Sequence, residues 1–134
     1  MRLCFLGNLQ SIHLQRWLRY CLDRGHEVHY IGWTPQPHSL PGLHVHWLRH
    51  GASAPASVVT RPRSRPRFGL PRGAGVLWMG WRWQRAGLRR LVDRIRPDVL
   101  HGHVATEHGF YAALCGYQPL MVSTWGSDVL LHPQ

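Results

Sequence analysis

The chain has 134 residues, 44% hydrophobic and 16% charged, which suits a single α/β core and excludes a disordered protein. No apolar run approaches the roughly 20 residues of a membrane-spanning helix, and Leu3–Gly7 after Arg2 is far shorter than a signal-peptide core, so a cytoplasmic location is expected. The formal charge of +10 comes from 16 basic residues, all arginine, against 6 acids. Eleven of those arginines and the single acid Asp93 fall between Arg61 and Arg96, which leaves the remainder of the chain neutral.

Arg2-Leu-Cys-Phe-Leu-Gly7 reads as a buried first strand closed by Gly7 and Asn8. A helix follows, with Ser11 placed to cap it, Leu14, Trp17, Leu18 and Cys21 forming one apolar stripe, and Gly25 stopping it. Glu27–Gly32 is a second strand, which completes a right-handed βαβ unit and predicts a parallel sheet. Gly42–Leu48 offers a third strand, where Leu43, Val45 and Trp47 alternate against His44 and His46.

Periodicity is lost from about Arg49 to Gly75 in a stretch of Arg, Pro, Gly, Ser and Ala, expected to be a long mobile loop. Val76–Ile95 resumes as a helix ended by Pro97, with Leu77, Trp81, Leu88, Leu91, Val92 and Ile95 on one side and Arg82, Arg89, Arg90 and Arg94 off that stripe. Asp98–His101 is a short strand, Thr106 is placed to cap a helix through about Cys115, and Leu120–Thr124 is a further strand. The expected architecture is one α/β domain with a parallel sheet and flanking helices. A parallel sheet needs cover on both faces, and three helices for four or five strands predict an incomplete domain, a fragment or truncated product.

Cys4, Cys21 and Cys115 are far apart and form no Cys-x-x-Cys pair, so they read as small buried hydrophobes. In open parallel sheets ligands bind beyond the carboxyl ends of the strands. Four clusters fall there: Gly7-Asn8 through His13, Gly32-Trp33, His101-Gly-His103, and Trp125-Gly126-Ser127-Asp128. Turn chemistry alone explains the glycines of any one cluster; their gathering on one edge is what points to a site.

His101, His103 and His108 lie close together with Glu107, yet His108 sits beyond a turn, and neither His-Glu-x-x-His nor a Cys/His zinc pattern occurs. No metal is expected. His13, His26, His29, His38, His44, His46 and His50 read as surface or strand-end residues. Neither a dinucleotide fingerprint nor a Walker motif nor a nucleophile elbow is present. The first loop, Gly7 to Ser11, still sets a glycine and free amides at a helix N-terminus, a geometry that attracts phosphate.

Three words occur in order: Arg24-Gly-His-Glu-Val-His29, Arg96-Pro-Asp-Val-Leu-His-Gly-His103 and Ser123-Thr-Trp-Gly-Ser-Asp128. Through them the sequence resembles the N-terminal domain of family 4 glycosyltransferases of the GT-B fold, with the Arg/Pro-rich stretch as its variable part. The resemblance implies a Rossmann-like domain from a retaining enzyme that moves a sugar from a nucleotide-sugar donor to a glycan or lipid acceptor of the cell envelope, with no metal and no cofactor besides the donor. It implies that this half binds the acceptor, that a C-terminal donor-binding domain is missing, and that the chain alone is inactive.

Carried over by position, Gly7 and Asn8 belong to the loop approaching the donor phosphate and sugar. His13, His101, His103, Trp125, Gly126, Ser127 and Asp128 fall on the acceptor side, with His103 and Asp128 the candidates for a catalytic role. Many members carry histidine where this sequence has Trp125. That indole is suited either to stack on a sugar ring or to pack in the core, with Asp128 capping the next helix.

Two competing functions draw on other features. A nucleic-acid-binding module would use Arg61–Arg96 and show steep salt dependence. A nucleotide-sugar epimerase or dehydrogenase-like domain is disfavoured by the absent dinucleotide fingerprint. The same basic segment is suited to an anionic membrane surface. Trp78 and Trp83 fall outside the apolar stripe among Arg82, Arg85, Arg89 and Arg90, and each arginine near such a surface contributes about 1 kcal/mol.

Overall fold

Among the described residues the chain alternates strand and helix as β1 (Arg2–Leu6), α1 (Ile12–Asp23), β2 (Glu27–Gly32), β3 (Leu43–Trp47), α2 (Ala74–Ile95), β4 (Val99–His103), a π-helical turn (Ala105–Gly109), α3 (Phe110–Cys115) and β5 (Leu120–Ser123). The structure, a computed structural model, describes residues 1–48 and 74–126, with the backbone alone for residues 74–83. The Arg/Pro-rich stretch, apart from its last two residues, lies outside the described residues. The five strands are all parallel in the order β3-β2-β1-β4-β5, the Rossmann-like α/β arrangement expected.

Both faces of the sheet are covered, which is why its central strands read as near-continuous apolar runs. On one face Phe5, Val28 and Tyr30 pack with Leu14, Leu18 and Cys21 of α1 and with Leu9 and Leu40. On the other, Cys4, Leu6, Ile31 and Leu100 pack with Leu88, Val92 and Ile95 of α2 and Ala112 and Cys115 of α3. Each fully buried aliphatic side chain contributes about 1.5–3 kcal/mol. All three cysteines are buried free thiols, as their spacing predicted, and burial pushes the Cys4 thiol well up.

The stop at Gly25 is a double hydrogen-bonded close, with Gly25 N donating to Leu22 O at 2.9 Å and His26 N to Cys21 O at 3.2 Å. Pro97 follows α2 as expected, and the arginine stripe of α2 is partly structural. Arg89 Nε donates to Asp93 Oδ2 at 2.8 Å, and its Nη1 donates to the carbonyls of Gly116 at 2.8 Å and Cys115 at 3.3 Å, so it seals the C-terminus of α3.

Several local expectations differ from the structure. Ser11 occupies the N-cap position in an extended conformation, but its side chain makes no capping bond; its carbonyl receives Gln15 N at 3.0 Å. Trp17 is 40% exposed, because Leu14, Leu18 and Cys21 already fill the strip of α1 facing the sheet. Helix α2 begins at Ala74, two residues before the expected Val76.

Thr106 is not a cap. It is an exposed residue inside the π-helical turn, whose defining bond runs from Gly109 N to Val104 O at 2.7 Å. The wider turn brings Gly109 onto the sheet at Gly102, where an added Cβ would stand 2.6 Å from the Gly109 Cα. Only glycine at 102 admits that approach.

Candidate functional site

In the order β3-β2-β1-β4-β5 the chain leaves β1 toward β2 on one side and returns to β4 on the other, so the switch point lies between β1 and β4. Gly7 follows β1 and His103 ends β4, which brings two residues 96 positions apart side by side at the carboxyl edge of the sheet. A Cβ on Gly7 would lie 3.1 Å from His103 Cβ and 2.7 Å from Leu14 Cδ2. A side chain at position 7 would therefore push the Leu14 methyl aside and crowd His103.

The loop is held from within. Buried Tyr30 donates its hydroxyl to Gly7 O at 2.8 Å, and burial pushes its pKa up to about 12, so the donor stays protonated. Asn8 Oδ1 accepts Gln10 N at 2.9 Å, and Asn8 O accepts Ser11 N at 2.9 Å. The Asn8 side chain thus shapes the turn.

Across the crevice an aromatic group assembles from three elements. His13, on the first turn of α1, stacks on Trp125, which follows β5, with ring centroids 4.3 Å apart at 30°. Trp125 also tilts against His103 at 5.3 Å. The indole is therefore bracketed by two imidazoles, and His13 covers one of its faces. Gly126 is exposed beside it, whereas Ser127 and Asp128 lie outside the described residues.

His101 and His103 share a strand face, as their spacing predicted, with ring centroids 6.1 Å apart. His103 is 1% and His101 2% exposed. His101 is paired in register with Phe5 and Met121 and wedged between the rings of Phe5 at 5.0 Å and Trp17 at 5.8 Å. Its Nε2 is 2.8 Å from Ser123 Oγ. Burial, reinforced by the neighbouring His103, lowers its pKa to about 4, so at neutral pH it is an uncharged ring that sets the positions of His103 and Ser123.

Two groups lie away from this crevice. Trp33 packs against His108 at 5.4 Å and Tyr111 at 5.1 Å, so the Gly32-Trp33 cluster joins the α3 side of the sheet. Burial lowers the His108 pKa. Of His29, His44 and His46, expected at the surface or strand ends, His44 is exposed as expected, whereas His29 is buried and His46 half-buried; the three form a group across β2 and β3. His29 is 8% exposed, stacks on His44 at 4.8 Å, and places Nδ1 2.9 Å from His46 Nε2 and Nε2 3.0 Å from Glu27 Oε1. Parallel register pairs His29 with His44, and the alternation of Leu43, Val45 and Trp47 against His44 and His46 was its visible sign. Among the described residues no three His, Cys, Asp or Glu side chains are arranged to hold a metal ion.

Of the basic set, Arg85 and Arg90 are exposed on α2, Arg89 is engaged as described, and the side chains of Trp78, Arg82 and Trp83 lie outside the described residues. No helix among the described residues is long and apolar enough to cross a membrane.

The five-stranded parallel sheet with helices on both faces is a Rossmann-like α/β domain, an architecture in which ligands bind beyond the carboxyl ends of the strands. Residues 81–134, which run from α2 through β4, α3 and β5 past Trp125, match the family model described as glycosyl transferase 4-like. His101, His103 and Trp125 lie within that glycosyl transferase 4-like segment, and Gly7 and His13 reach the site from the part of the chain before it. No curated protein matches the chain.

Proposed function

We propose that this chain is the acceptor-side domain of a retaining glycosyltransferase, which holds a glycan or lipid acceptor in the crevice between β1 and β4 while a nucleotide-sugar donor is presented by a second domain. One observation carries the reading: Gly7, His13, His103 and Trp125, drawn from four places in the sequence, meet at the switch point of the sheet.

Each group has work suited to it. The loop at Gly7 and Asn8, its shape fixed by Tyr30 and exposed at Asn8, is the part of this domain that the donor's phosphate and sugar approach. The His103 imidazole, buried behind Trp125, backs the indole and holds it in place, and Trp125 offers that indole to the C–H face of a sugar once His13 swings away. Transfer needs donor and acceptor held together, so the isolated chain binds acceptor without turning over donor.

Binding to a panel of glycans and lipid-linked sugars tests the proposal, with release of free nucleotide from nucleotide sugars followed in parallel. Expected are acceptor binding that weakens about tenfold in Trp125→Ala and His103→Asn, the loss of one or two good polar or stacking contacts, and nucleotide release at background. Circular dichroism checks that the variants fold. Failure to bind any glycan, binding of duplex DNA with steep salt dependence in its place, or steady turnover by the isolated chain would overturn it.

A further inference from the structure

A hollow of about 370 Å³ opens beside the crevice, between the β1–α1 loop and residues 37–40 beyond β2. Its apolar surface comes from exposed Pro37 and the edge of Leu40, which is 7% exposed, above the fully buried Leu9. Its walls are polar: Gln10, Gln15, Ser39 and the ring of His38. No Asp, Glu, Lys or Arg lines it, in a protein whose formal charge is +10.

Both glutamines are fixed by the backbone. Gln15 Nε2 donates to Leu9 O at 2.9 Å, and Gln10 Nε2 donates to Pro37 O at 3.1 Å, so that Gln10 ties the two walls together. Each amide keeps a carbonyl oxygen and a second N–H, an acceptor and a donor on one rigid group. Such a pair suits a hydroxyl, which needs both. The Ser39 hydroxyl adds a third group of the same kind. A volume near the lower end of the about 300–1,000 Å³ of small-ligand pockets, an apolar surface and neutral polar walls match one ring of a polyol, with its C–H face on that surface and its hydroxyls outward.

We propose that this hollow is a subsite for one uncharged pyranose ring of the acceptor. The inference rests on the acceptor-side reading of the domain and narrows it: the recognised unit is a neutral hexose, neither a phosphorylated nor a carboxylated sugar. Without a lysine or arginine in the lining, a phosphate or uronate would lose hydration that the neutral amides and hydroxyl do not fully replace.

Ligand-observed NMR on the whole chain with methyl hexopyranosides, glucuronate and glucose 6-phosphate tests the assignment. At least one neutral hexoside is expected to bind in the millimolar range, about the strength of a few hydrogen bonds on a small ring, and the charged sugars are not. Gln10→Ala and Ser39→Ala, both at exposed loop positions, are each expected to weaken that binding about fivefold, as for one lost hydrogen bond. Charged sugars binding equally well, no neutral hexoside binding, or variants that bind like the parent would overturn it. Arg19→Gln, at an exposed position of α1 that lines neither the hollow nor the proposed acceptor site, is the control and should leave methyl hexoside binding unchanged. Loss of the hexoside with longer acceptors still bound overturns the subsite alone; hexoside binding without any longer acceptor overturns the acceptor-domain reading alone.

Discussion

His13 and Trp125 stack at 4.3 Å across a sequence separation of 112 residues, so the first turn of α1 and the end of β5 are joined at the rim of the sheet. Aromatic pairs of this kind are coupled by about 0.5–1.5 kcal/mol beyond the area they bury. A double-mutant cycle of His13→Ala and Trp125→Ala, measured by urea unfolding, is expected to return a coupling in that range. Additive effects would mean that the two rings do not support each other in solution.

The buried histidines set an acid limit on stability. His101 has its pKa lowered to about 4 from the ordinary 6.5 by burial, so the unfolded chain binds more protons than the folded one between those values. Stability contributed by neutral His101 is complete above the ordinary value and falls as pH drops from 6.5 toward 4. The total for a shift of that size is on the order of 3 kcal/mol. His46 and His108 are lowered by burial in the same direction, and Glu27, held below its ordinary value by His29 and Arg2, adds the same sign at lower pH. Thermal melts across pH 7 to 4 should show a steep decline that His101→Phe flattens; an equal slope in the variant would remove His101 as its source.

Two glycines predict opposite outcomes. Gly102→Ala sets a Cβ 2.6 Å from backbone atoms of Gly109, which cannot yield without moving the π-helical turn, and should cost about 1–3 kcal/mol. Gly87 lies within α2, where an added Cβ finds Leu48 Cδ2 at 3.8 Å, an ordinary contact. Gly87→Ala should stabilise by about 0.5–1 kcal/mol through helix propensity. Denaturant midpoints decide both, and equal signs would contradict the packing described.

The arginines of α2 divide into two kinds, and vesicle flotation separates them. Arg85→Gln with Arg90→Gln removes two exposed charges and should reduce binding to anionic vesicles by about 2 kcal/mol while leaving the melting temperature unchanged. Arg89→Gln should instead lower stability, because it leaves the carbonyls of Cys115 and Gly116 without their donor. Binding that ignores lipid charge would count against docking through this helix.

Gly25 and Pro97 ended their helices, and Leu14, Leu18, Cys21, Leu88, Val92 and Ile95 marked buried faces, because caps, breakers and hydrophobic period act within a few residues of chain. The parallel sheet followed from the alternation of such elements, and the strand ends followed from the sheet. Local pattern carries no sign of the long-range bonds that compete with it. Thr106 was legible as a cap, yet the contact of Gly102 with Gly109 drew the chain into a wider turn. His29 and His46 were legible as polar strand residues, but only the register of β2 with β3 set their nitrogens 2.9 Å apart. Asn8 and His101 belonged to site clusters by position; a local bond from Gln10 N turns the Asn8 side chain into its own loop, and tertiary packing buried His101 beneath Trp17. Sequence alone placed the candidate residues on one edge of the sheet; which of them reach the crevice was decided by how helix α1, the π-helical turn and β5 close around it.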